Sequence, residues 1–245
     1  MQTYTKEMAE HEKMKGLAFR ILAKEHKAYI EALVEFSPLG EISDLGSLLK
    51  FTVHSATLIE CEMKVNSTQT IPTEVKTLTS SGKLSVKPMP KGRFHEIYQD
   101  YVCGCMLRVA REVFAMLPVE TVLVTALADL LDWRTGHTAE QPVLSAAMPR
   151  MVIARLNFEK LDSSKALGNF RYRGDLESSR KSSGFQPIAP LTPADIAHNR
   201  AANKEGTRLH YFQHWVVWRR RLQNWANTTR TGCSYLRVKW CKCAV

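Results

Sequence analysis

The sequence predicts an α+β fold, with a small, mostly antiparallel sheet packed on one long amphipathic helix, an N-terminal helix before it and a poorly packed C-terminal tail after it. Three observations predict it. Apolar residues from Phe94 through Tyr98, Val102, Val109 and Met116 recur at helical spacing. Residues 48–65 alternate at the strand period and are rich in β-branched side chains. Residues 119–131 open as a strand apolar on both faces, the pattern of a central strand.

The elements follow in order. Residues 5–36 read as one helix, with Leu17, Ile21, Tyr29, Leu33 and Phe36 on its apolar side and Ser37, Pro38 and Gly40 ending it. Its first turns, to about Lys15, are polar enough to project or fray. Residues 48–65 form one long strand or a hairpin broken near His54 to Ala56, and Ile71 to Val75 is a short extended piece. Residues 79–92 read as a polar loop bearing Gly82, Pro88 and Pro90. The long helix runs from Arg93 to Leu117 and stops at Pro118. The turn around Gly136 makes a hairpin of residues 119–131 and the strand near 142–147. Two short helices, 152–161 and 163–172, close the body, the second capped by Asp162. The organisation is thus a body domain over 1–176, a Ser- and Pro-rich linker over 177–195, and a tail over 196–245.

Charge divides the chain at the same place. The 245 residues carry a formal net charge of +10. Residues 196–245 hold ten Lys and Arg against one acid, Glu205, so the tail is +9; the preceding residues hold 24 bases and 23 acids, a net of +1. A basic segment of this kind points to an anionic partner. Arg219, Arg220 and Arg221 interleave with Trp215 and Trp218, so arginines can meet phosphates while indoles stack on bases, and nucleic acid is the expected partner. A membrane surface would satisfy the same pattern. His210 and His214, followed by Cys233, Cys241 and Cys243, offer zinc-ligating side chains, but at no common finger spacing. Clustered Trp, Arg and Cys also mark translation in a wrong frame, so a shifted frame past Pro190 is a rival origin for the tail. Translating the gene in its other frames tests this.

No apolar run is long enough for a membrane span, the N-terminus lacks a hydrophobic signal core, and the cysteines form no disulfide framework, which together predict a cytoplasmic protein. For chemistry, the most pointed spacing is Asp44 followed by Glu62 and Lys64 on one face of a strand. Restriction-endonuclease-like nucleases use an acid and an acid-x-Lys pair so placed, the carboxylates holding a divalent metal such as Mg and the lysine helping to activate water. The competing reading is that Glu60, Glu62 and Lys64 are the solvated side of an amphipathic strand. Glu96 and Asp100, one helical turn apart, are half a carboxylate metal site or simply acids favoured near a helix start. Cys103 and Cys105 point to different sides of their helix and read as small hydrophobes. His137 reads as a surface turn histidine, having no orienting partner nearby. No nucleophile elbow, Walker loop or G-x-G-x-x-G turn is present. No cofactor is expected outside the nuclease alternative.

The stretch from Glu96 to Pro190 resembles an uncharacterised family of bacterial proteins. The resemblance rests above all on IYQDYVCGCMLRVAREVFAMLP, the TGH turn, PVLSAAMPR and LNFEKLDSSKALGNF. It implies a bacterial cytoplasmic setting, no particular activity, and a family domain that fades near Leu191. The leading functional expectation is a binding or interaction domain, with the metal-dependent nuclease as its rival.

Overall fold

Alternation and helical periodicity each place one apolar face inward, and the computed structural model shows those faces meeting. It describes residues 2–39, 48–66, 68–132, 134–176 and 184–197. In chain order these form helices α1 (Gln2–Leu22) and α2 (His26–Phe36), strands β1 (Leu49–Ser55) and β2 (Leu58–Lys64), and a hairpin of β3 (Glu74–Leu78) and β4 (Leu84–Pro88). Helix α3 (Lys91–Met116) leads to β5 (Thr121–Leu131) and β6 (Thr138–Pro149), then α4 (Arg150–Ile153), α5 (Ser163–Leu167), β7 (Arg171–Arg173) and α6 (Pro193–Ala197).

Five strands form one sheet in the order β1-β2-β5-β6-β7. All neighbours run antiparallel except β2 and β5, which are parallel and joined through α3. The expected mostly antiparallel sheet on a long helix is therefore present. Ile59, Cys61 and Met63 of β2, Val122, Val124 and Ala126 of β5, and Leu144, Ala146 and Met148 of β6 line one sheet face. They are buried against Val102, Met106, Val109 and Val113 of α3. Pro142 sits in β6 where the β5–β6 register shifts, the kind of interior position a strand allows proline. The β1–β2 turn forms because Ser55 Oγ accepts the amides of Thr57 and Leu58 at 3.2 and 3.1 Å. The hydroxyl of buried Tyr29 donates to the Ala56 carbonyl at 3.3 Å and seats α2 on that turn.

The structure corrects four expectations. First, the N-terminal helix is two helices. Lys24 has φ +63°, and the amides of Glu25 and Lys24 close onto the carbonyls of Arg20 and Ile21, at 3.1 and 2.9 Å. This is a Schellman stop built without glycine. The Arg20 guanidinium then holds Glu25 at 2.9 Å and Glu31 at 2.7 Å, tying the two helices together. Because a side chain in the left-handed region is strained, Lys24→Gly should raise stability by about 1 kcal/mol in urea unfolding.

Second, residues 79–92 are not a loop. They include β4, paired with β3 through Ser80, Ser81 and Gly82; Gly82 has φ +77°, the left-handed residue that a three-residue hairpin loop requires. Third, the two closing helices are shorter than expected. The first stops at Ile153, and Asn157 Oδ1 takes the Glu159 amide at 3.1 Å in a side-chain turn that replaces further helix. The second stops at Leu167, and Arg171–Arg173 pairs with β6 as an edge strand. Its N-cap is as expected: the Asp162 carboxylate accepts the Lys165 amide at 3.0 Å.

That amide, the Ser164 hydroxyl and the Lys165 ammonium hold the Asp162 carboxyl below its ordinary value of 3.8, against a partial burial that would raise it. A depressed folded pKa adds stability above the unfolded value and loses it as pH falls through the folded one. Asp162→Ala should cost about 1 kcal/mol near neutral pH, the gap from wild type closing as pH falls below about 4.

Fourth, the expected linker is in large part a strap packed on the body. Phe185 and Leu191 are buried, and Phe185 meets the Tyr98 ring edge-on at 5.9 Å. The Ile188 amide donates to the Pro142 carbonyl at 2.9 Å. The Leu191 amide donates to Ser145 Oγ at 3.1 Å, and Ser145 shares a 2.9 Å hydroxyl bond with buried Thr125. Leu191 packs with Leu123 and Ala147 on the sheet face opposite α3. Arg173 bonds the Pro190 carbonyl and the Asp195 carboxylate, both at 2.9 Å. The described residues up to Ile196 belong to one compact unit. Isolated apolar anchors on an extended chain leave no period in the sequence, which is why the strap reads as linker. Ser145→Ala strands the Thr125 hydroxyl and the Leu191 amide together. A loss of about 2 kcal/mol is expected, with faster hydrogen exchange at Leu191.

Candidate functional site

Period-2 geometry places Glu60, Glu62 and Lys64 on the sheet face away from α3, as the sequence predicts, since Ile59, Cys61 and Met63 between them are fully buried. Pairing with β1 sets Lys50 opposite Glu62, and their side chains meet at 2.8 Å. His54 Nε2 lies 2.6 Å from Glu60. Parallel pairing with β5 sets Lys64 beside Leu127, from where its ammonium reaches Asp129 at 3.0 Å and Glu140 at 3.1 Å. Those two carboxylates raise the Lys64 pKa above the usual lysine value, so the side chain stays protonated and takes no proton from water near neutral pH.

Glu62 and Lys64 therefore share a face but diverge, the acid toward β1 and the lysine toward β5 and β6. Asp44, the third member of the expected nuclease set, lies outside the described residues. Among the described residues, no three His, Cys, Asp or Glu side chains are grouped as metal ligands would be. Glu96 pairs with Arg93 at 2.8 Å, and Asp100 accepts the Ser164 hydroxyl at 2.6 Å, so this couple is divided between two local partners. Cys103 is fully buried, and burial raises the thiol pKa of both Cys61 and Cys105. They pack as hydrophobes, as expected. His137 is exposed in its turn, next to Gly136 with φ +70°. Trp215, Trp218, Arg219, Arg220 and Arg221 lie outside the described residues, as do His210, His214 and the three cysteines of the tail.

Sequence reasoning missed one feature. A cavity of about 120 Å³ opens between α3 and the C-terminal end of β5, lined by Thr68, His95, Tyr98, Asp129, Gly184 and Phe185. His95 Nδ1 is buried there without a protein hydrogen-bond partner. Gly184, at φ +84°, passes so close that an added Cβ would lie 3.2 Å from that nitrogen. The Tyr98 hydroxyl turns away to the Asn66 carbonyl at 2.9 Å. The volume suits several water molecules rather than a larger ligand. No local motif flags it, because its walls come from segments far apart in the chain.

No protein-family model, curated protein or solved structure matches this chain. On the sheet face away from α3, Glu62 pairs with Lys50, Lys64 pairs with Asp129 and Glu140, and Glu60 lies beside the His54 imidazole, which suits a solvated surface more than a reaction centre. Among the described residues, no helix is long and apolar enough to cross a membrane.

Proposed function

We propose that this is a cytoplasmic bacterial nucleic-acid-binding protein, in which the folded body carries a basic end that makes the principal contact. One observation supports it above all: residues 196–245 hold ten Lys and Arg and a single acid, whereas the rest of the chain is near neutrality. Arg219, Arg220 and Arg221 supply the phosphate contacts and Trp215 and Trp218 the stacking. The divergence of Glu62 and Lys64 lends the nuclease alternative no support from the described residues.

The test compares the full chain with residues 1–195 on a fluorescent oligonucleotide over a salt series. Phosphate-driven binding weakens steeply with salt, and removal of the basic end should cost at least about a hundredfold in affinity. Equal affinity of the two proteins would overturn the assignment.

A further inference from the structure

The β3–β4 hairpin forms a two-stranded sheet of its own, paired among the described residues with no strand of the main sheet. Every residue of the two strands except Val75 and Ser85 is exposed. Cross-strand register sorts its side chains. Lys76 faces Val86 and Leu78 faces Leu84, so one side of the ribbon presents Leu78, Leu84 and Val86, exposed by 76%, 60% and 47%, with Lys76 at their border toward the base. Lys83 stands at the tip, Lys87 on the other side, and Lys91 at the base, where α3 begins. These four lysines have no ion-pair partner among the described residues, in contrast to Lys50 and Lys64 on the main sheet. Against them the ribbon has one acid, Glu74. Residues 74–91 are thus +3 while the remainder of residues 1–195 is −2, so what positive field the body has is concentrated on this projection.

An isolated two-stranded hairpin with exposed leucines is marginal in water, and among the described residues no further strand pairs with either of its edges. A partner that presents anionic rails beside a flatter apolar surface satisfies lysines and leucines together. Duplex DNA does so. Its major groove admits a two-stranded ribbon between phosphate backbones, with thymine methyl groups on its floor, whereas the deep, narrow major groove of duplex RNA does not.

We infer that the β3–β4 ribbon is a DNA-contacting arm, which enters a groove of duplex DNA with Lys76, Lys83 and Lys87 on the phosphates and Leu78, Leu84 and Val86 toward the base edges. This rests on the nucleic-acid reading above and adds a second contact, in the body, with a stated ligand.

The test uses the full chain, labelled DNA and RNA duplexes of one sequence, and two variants: K76Q/K83Q/K87Q, which keeps the apolar side, and L78S/L84S, which keeps the charge. For DNA, the lysine variant should bind at least about tenfold more weakly, its dependence of log affinity on log salt shallower by about 2 to 3. The leucine variant should lose affinity with the salt slope unchanged. RNA-duplex binding should respond to neither. If wild-type protein binds DNA and the lysine variant keeps the full slope, the ribbon assignment fails while the basic-end reading stands. If wild-type protein binds no nucleic acid, both fail. Equal losses on DNA and RNA would overturn the groove assignment. A dimer that L78S/L84S converts to monomer with DNA affinity intact would show that the ribbon binds a second copy of the chain instead.

Discussion

Arg150→Met should destabilise the body by about 3 kcal/mol, lowering the midpoint of thermal unfolding by roughly 6–12 °C. The Arg150 guanidinium donates to the carbonyls of Val119 at 2.9 Å, Phe114 at 3.0 Å and Leu117, and it stacks over the Phe114 ring at 4.7 Å. Phe114 lies in the last turn of α3 and Leu117 caps it, where helix carbonyls have no partner within the helix. A fixed cation at that end also opposes the negative pole of the helix. Methionine keeps the apolar stem and removes all three bonds. Urea unfolding should show a lower midpoint with an unchanged slope, and Arg150→Lys should recover only part of the loss, because an ammonium lacks the planar fork. A loss below about 1 kcal/mol would mean that water serves these carbonyls as well as arginine does.

Gly174→Ala should cost about 3 kcal/mol, for two reasons that act together. Gly174 has φ +140°, a region that residues with a Cβ rarely adopt. A Cβ there would lie 2.5 Å from Leu144 Cδ1 and 3.1 Å from the Val143 carbonyl oxygen. Leu144 is fully buried, and overpacking it pushes on the central strands. Gly82→Ala serves as the control. Its φ is +77°, yet nothing lies within 4 Å of a built Cβ, so only backbone strain of about 1 kcal/mol is expected. Equal losses at the two sites would remove the steric part of the argument.

The elements legible in the sequence are those whose packing writes a period. α3 buries one broad stripe, β2 alternates strictly, and β5 is buried on both faces over Val122 to Ala126. Each is decided by its own neighbours in the chain. The stop at Lys24 is local but carries no glycine to mark it, whereas the three-residue strand β7 and the strap are decided by distant residues: Arg171 with Ala147, and Leu191 with Ser145. The candidate site divides in the same way. That Glu60, Glu62 and Lys64 share a face follows from alternation alone. That Lys64 is drawn to Asp129 and Glu140 follows from strand order, which the local pattern does not contain.

The parallel joint between β2 and β5 sets the order in which the chain can finish folding during synthesis. The β1–β2 hairpin is complete once Lys64 has emerged, but its partner edge, Thr121 to Leu127, follows some sixty residues later. At ordinary elongation rates that edge of β2 stays open for on the order of 3–12 s. An open strand with an apolar face is a template for pairing with another nascent chain. Glu60, Glu62 and Lys64, which in the finished protein lie beside His54, Lys50 and Asp129, alternate along this strand as charges of the kind that discourage such pairing.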